Sequence, residues 1–137
     1  KGQFLDVAQA ELVQGWTIET PEWSKLKGGH RARFDKEKLL CATTPGAELK
    51  LKFSGRAIGI FLLAGPDAGV LEASIDGAPF KRFDLFHNYS SGLHYPRSIV
   101  FSGDLSPGPH GLILKLSGQK NAASQGTAAR ILKFCVN

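Results

Sequence analysis

The side chains best equipped for chemistry lie in one stretch, from Asp84 to Ser98. It contains Phe86, His87, Asn88, Tyr89, Leu93, His94, Tyr95 and Arg97. Aromatic rings offer flat apolar faces, and imidazole, amide and guanidinium groups supply directed donors and acceptors. Such a set can hold a hydroxylated ring: Phe86 or Tyr89 as the stacking platform, with His87, Asn88 and His94 as hydroxyl partners. Arg97, or Lys120 in the polar stretch from Ser117 to Thr127, would answer a negative charge on the same ligand. Leu93, Tyr95 and Pro96 suit another task, the apolar centre of a contact with a second protein surface. The two readings are a carbohydrate site and a docking face, and both are expected at one end of the fold.

Covalent chemistry finds no comparable set. A serine nucleophile needs a histidine base, a carboxylate that orients it and donors for the oxyanion. Ser106, in Gly103-Asp104-Leu105-Ser106, is followed by Pro107 in a turn and has no Asp-x-x-His partner near the C-terminus. His30, His87, His94 and His110 show neither i,i+4 nor His-x-His spacing, and no cysteine joins them at ligand distance. Gly65-Pro66-Asp67-Ala68-Gly69 lacks the Lys-Ser/Thr of a phosphate-cradling loop, and Asp67, Asp76 and Asp84 are not spaced as a calcium loop. The expectation is a chain that is not an enzyme by itself, with no metal and no cofactor. Cys41 and Cys135 lie far apart in probable strands and read as small buried thiols, although the sequence neither shows nor excludes a disulfide.

The elements that must position the stretch are strands. Ala47 to Phe53 alternates, with Lys50 and Lys52 between Leu49, Leu51 and Phe53. Ala57 to Leu63 is a continuous apolar run suited to a central strand, and Val70 to Ile75 ends in Asp76-Gly77, a hairpin signal. Phe80 to Phe86, Ser98 to Phe101, Gly111 to Ser117 and Ala129 to Val136 complete the series. Pro107-Gly108 is a turn that feeds Leu112, Leu114 and Leu116 onto one strand face, with His110 capping it. The fold class expected is all-β, a two-sheet antiparallel β-sandwich, in one domain spanning 1–137. Trp16 and Trp23, in the less regular N-terminal third, have rings able to stack on a sugar, but they are read as packing residues.

At 137 residues and a formal net charge of +5, the chain can bury a core without a metal or disulfide. Its basic residues read as a solvated face, because no nucleic-acid motif accompanies them. No apolar stretch approaches the roughly twenty residues of a membrane-spanning helix. Asn88-Tyr89-Ser90 matches the glycosylation sequon.

A family resemblance rests on Gly59 to Gly69, Ser74-Ile75-Asp76-Gly77, Phe83-Asp84-Leu85-Phe86, Ser90 to Pro96, Asp104 to His110 and Gly126 to Ile131. Together these resemble the N-terminal β-sandwich of bacterial SGNH/GDSL-type esterases, a jelly-roll domain similar to galactose-binding-like modules. It covers roughly the last two-thirds of the chain, and the hydrolase domain itself is not in this sequence. The resemblance implies a non-catalytic accessory domain, secreted or periplasmic, cut from a larger enzyme acting on acylated polysaccharide. Its partners would be carbohydrate or the parent catalytic domain.

Overall fold

In the computed structural model, which describes residues 2–137, alternation decides which faces are covered. Leu49, Leu51 and Phe53 are buried while Lys50 and Lys52 stand in solvent. The strands are β1 (Gln3–Asp6), β2 (Glu11–Gln14), β3 (Thr17–Glu19), β4 (Leu39–Ala42), β5 (Glu48–Ser54) and β6 (Ile58–Ala64). They continue as β7 (Val70–Ile75), β8 (Lys81–Asp84), β9 (Tyr95–Ser102), β10 (Pro109–Leu116) and β11 (Ala129–Val136). One sheet runs β3-β4-β11-β6-β9, with β1 paired to the far half of β11, and the other runs β2-β5-β10-β7-β8. All these pairings are antiparallel, and the result is the two-sheet sandwich expected from the sequence.

Leu40, Ile60, Leu62, Ile131 and Phe134 of the first sheet meet Leu49, Leu51, Leu71, Leu112 and Leu114 of the second. Each is essentially sealed from water, and burying such a side chain stabilises the fold by about 1.5–3 kcal/mol before entropy is counted. Trp16 joins this core, as expected.

The unbroken apolar run of β6 has its explanation in a second cluster on the outer face of the first sheet. Leu63 and Leu132 point outward there and are buried with Phe34 and Leu39, with Trp23 packed against them. The β3–β4 connection supplies the cover through two 3-10 turns, Trp23–Lys25 and Ala32–Phe34. A strand covered on both faces has no reason to alternate.

The hairpin turn uses left-handed backbone at Asp76 (φ 54°) and Gly77 (φ 78°). The Asp76 carboxylate accepts from Gly111 N–H at 2.8 Å and from His110 Nδ1 at 2.5 Å, while His110 Nε2 donates to the Ser106 carbonyl at 2.6 Å. Both ring nitrogens face acceptors, so the imidazolium is the form that fits, and the expected turn cap is a three-way staple. Those bonds from Asp76 and Ser106 raise the His110 pKa above its ordinary value.

Two expectations are corrected. The connection before β9 is shorter than the sequence suggests, since Tyr95, Pro96 and Arg97 lie within β9. β9 is the edge of its sheet, where the N–H that proline lacks is not needed by a neighbour. Cys41 and Cys135 are free and half-buried, on β4 and β11, and not sealed inside the core. Burial, the largest influence, nevertheless pushes the Cys41 thiol up to about 12.

Candidate functional site

The stretch singled out in the sequence becomes the β8–β9 loop, residues 85–94, and the first turn of β9. It shares its end of the sandwich with the β6–β7 and β10–β11 loops. Leu85 N–H donates to the Gly69 carbonyl (3.0 Å), Asn121 Nδ2 to the Asp84 carboxylate (2.8 Å) and Gln125 N–H to the Pro66 carbonyl (2.8 Å). Within the loop, Ser90 is buried and its Oγ accepts from His87 N–H at 2.9 Å, tightening the turn that lifts Asn88 and Tyr89 outward.

Three aromatic rings gather on that turn. His87 stacks on Tyr95 with centroids 4.5 Å apart and planes 17° from parallel, and Tyr89 approaches His87 at 5.3 Å and Tyr95 at 5.2 Å. Tyr89 is 64 % exposed, so most of the ring stands in solvent although it touches two others. His87 Nδ1 accepts from Tyr89 N–H at 3.3 Å, so a neutral ring carries its proton on Nε2, the donor left for a ligand. Asn88, exposed beside Tyr89, adds an amide with both donor and acceptor capacity.

The other candidates are placed differently. Phe86 is half-buried against the main core and does not present a free platform. Arg97 Nη1 donates to the carbonyls of Leu85 (3.0 Å) and Phe86 (3.5 Å), so its charge holds the root of the loop. Lys120 Nζ donates to the Ser124 carbonyl at 2.7 Å and closes its own loop. Leu93 is half-buried and forms a parallel bridge with Gly29.

His94 is the clearest departure from the sequence reading, being 0 % exposed. Its Nε2 bonds to the Lys27 carbonyl at 2.8 Å, its N–H donates to the Gly29 carbonyl at 2.8 Å, and its ring meets the edge of Trp23 at 5.1 Å. Trp23 in turn stacks on His30 at 4.3 Å, and His30 pairs with Asp35. The His94 Nδ1 is buried with no partner. Burial, the largest influence, depresses the ring's pKa, with the Arg130 guanidinium adding to it, while the Lys27 carbonyl and Asp67 pull the other way. His94 is therefore an inward anchor of the loop onto the β3–β4 connection, not a hydroxyl partner in this conformation.

Sequence reasoning missed that anchor's surroundings. The available signal was glycine: an added Cβ at Gly65 would fall 2.0 Å from His94 Nδ1, and one at Gly28 2.8 Å from Pro66. It also missed Arg130, 5 % exposed and paired bidentately with Asp67 at 2.8 and 2.9 Å beneath the same end. The arrangement can stack and hydrogen-bond a flat ligand on His87, Asn88, Tyr89 and Tyr95. Among the described residues, no group of three or more His, Cys, Asp or Glu is placed to hold a metal ion. No helix among them is long and apolar enough to cross a membrane.

No protein-family model matches the sequence, and no curated protein does. Solved structures do match the fold. The chain is similar to a two-domain esterase active on acetylated mannans, co-crystallised with mannopentaose, with a TM-score of 0.71 and 14 % identity over 99 % of this chain and 36 % of that one. It is similar to a family two carbohydrate esterase from Cellvibrio japonicus, with a TM-score of 0.63 and 10 % identity over 99 % of this chain and 32 % of that one. An exo-β-1,3-galactanase from Phanerochaete chrysosporium, solved with galactose, matches with a TM-score of 0.63 and 19 % identity over 100 % of this chain and 29 % of that one. At such identities the likeness is one of fold alone, a two-sheet jelly-roll sandwich. The chain spans about a third of the length of these proteins.

Proposed function

We propose that this chain is a non-catalytic, carbohydrate-binding-like accessory domain of a secreted or periplasmic SGNH/GDSL-type carbohydrate esterase. The observation that carries the reading is the exposed Tyr89 ring, held by His87 and Tyr95 on a loop pinned from beneath by Arg97 and His94. A pyranose stacked on Tyr89 would have the His87 Nε2 donor and the Asn88 amide beside its hydroxyls. Stacking contributes about 1 kcal/mol beyond general contacts, and hydrogen bonds to a neutral sugar add little net because water competes for them. Binding by the separate domain is accordingly weak, in the millimolar range. The neighbours' mannopentaose and galactose make manno- and galacto-oligosaccharides the first probes.

A second reading is kept because Leu93, an apolar residue, is left only half-covered beside Gly29. In it, the loop end docks on the parent catalytic domain. The test is a pair of titrations of Tyr89→Ala and Leu93→Ser, against an oligosaccharide panel and against the separately produced hydrolase domain. Loss of glycan binding in the Tyr89 variant alone supports the first reading, and loss of domain association in the Leu93 variant alone supports docking. Unchanged behaviour of both folded variants removes this loop from function.

A further inference from the structure

Phe4 is 66 % exposed although it sits within a sheet, opposite Cys135 of β11. It forms the ridge between two depressions, one on the outer face of the first sheet and one at the notch where β1 and β4 pair with different ends of β11 beside the end of the β3–β4 connection. The first, ≈ 460 Å³, is apolar, with Gly59, Val100 and Val136 in its lining. The second, ≈ 820 Å³, has Ile18 and Leu132 in its lining together with Lys36, Lys38 and Lys133. Lys133 Nζ stands 5.5 Å from the centre of the Phe4 ring, and among the described residues none of the three lysines is paired with a carboxylate. The second depression also contains Asp6 and Glu37, but Asp6 is engaged with Ala8 N–H at 2.8 Å. The β3–β4 connection flanking it carries six Lys and Arg against two acids between Lys25 and Lys38, most of the chain's net charge of +5.

We propose that this groove is a second binding site, for an acidic polysaccharide: a pyranose ring stacks on Phe4 while carboxylates on it and its neighbours pair with Lys36, Lys38 and Lys133. The combination selects the ligand. A neutral glycan would use the ring and leave the lysines idle. Nucleic acid carries a charge every ~1.7 Å of duplex axis and would press phosphates against Asp6 and Glu37. A uronate chain bears at most one carboxylate per sugar, which suits three separated ammonium groups interrupted by two acids. The site shares no residue with the loop-end cluster and stands or falls independently of it.

The test is isothermal titration of the whole chain with tetragalacturonate and with neutral cellotetraose, at about 20 and 200 mM salt. Tetragalacturonate should bind in preference, and the higher salt should weaken it about tenfold as the exposed charges are screened. Phe4→Ala should weaken it about three- to tenfold, the range expected for one aromatic contact. Lys36→Glu with Lys38→Glu should abolish it. Tyr89→Ala should leave it unchanged, which separates this site from the loop end. All these side chains are exposed, so each variant should keep the parent thermal midpoint. Equal binding of cellotetraose, retention by the double charge variant, or no effect of Phe4→Ala would overturn the proposal. So would tighter binding of a twelve-residue single-stranded DNA or of phosphatidylserine vesicles.

Discussion

Replacing Gly65 with alanine tests whether His94 anchors the loop end. Gly65 is buried just after β6, and no left-handed φ there bars a side chain on backbone grounds. The added methyl would lie 2.0 Å from His94 Nδ1 and 2.3 Å from its Cε1, well inside contact distance. The ring has little room to retreat, because Trp23 meets it at 5.1 Å and Nε2 is tied to the Lys27 carbonyl at 2.8 Å. Overpacking costs about 1–3 kcal/mol, and giving up the Lys27 bond adds about 0.5–1.5 kcal/mol. The expected destabilisation is therefore about 1.5–4.5 kcal/mol, a fall in thermal midpoint on the order of 5–18 °C for a chain of this size. Urea unfolding followed by tryptophan fluorescence measures it in wild type, Gly65→Ala, His94→Ala and the double variant. If the penalty comes from the ring, it drops below about 1 kcal/mol in the His94→Ala background, where the methyl occupies vacated space. Hydrogen exchange at the Gly29 and His94 amides should quicken in Gly65→Ala as the loop detaches. An unchanged midpoint in Gly65→Ala, or an equal penalty in both backgrounds, would refute the anchoring argument.

Other expectations follow from the same geometry. Asp67→Ala leaves the Arg130 guanidinium buried without its partner and should cost about 3–5 kcal/mol by urea unfolding, far more than the loss of an exposed ion pair. Burial alone would raise the Asp67 carboxyl, but the Arg130 hydrogen bonds and charge outweigh it and hold it below its ordinary value. The two perturbed histidines should give opposite pH trends. The His110 pKa is raised above 6.5, so the stability it contributes is complete below 6.5 and is lost as pH rises through the folded value. The His94 pKa is lowered from 6.5, so its contribution is present above 6.5 and is lost as pH falls through the folded value. The wild-type advantage over His110→Gln should thus shrink from pH 6 to 9, whereas the advantage over His94→Gln should shrink as pH falls from about 7 to 5; parallel trends would contradict both assignments. Purified chain should hydrolyse aryl acetates no faster than a matched control protein, and turnover removed by a single Ser→Ala change would overturn the non-catalytic reading.

The sequence alone determined what is local. Alternation at Leu49, Leu51 and Phe53, the Asp76-Gly77 hairpin and the Pro107-Gly108 turn each act within a few residues, where side-chain period and backbone preference decide the outcome. The two-sheet class follows from such segments repeating at short spacing. It also marked the stretch that carries Tyr89, since exposed aromatic residues on a long connection are visible as composition. What tertiary structure decided was which of those side chains remain available. His94 and Tyr89 sit five residues apart in one loop, yet one is sealed and the other is 64 % exposed. The difference comes from Lys27, Gly29 and Gly65, brought against His94 from distant parts of the chain. Pro96 fell inside a strand because β9 is an edge, a property of sheet order that no local pattern encodes. Leu63 and Phe34 could not be paired from sequence, because the β3–β4 connection lacks a period and finds its place only by covering the outer face of a sheet assembled from residues up to Val136. Long-range burial, and not the chemical identity of a side chain, thus determined whether each candidate faces solvent or the protein.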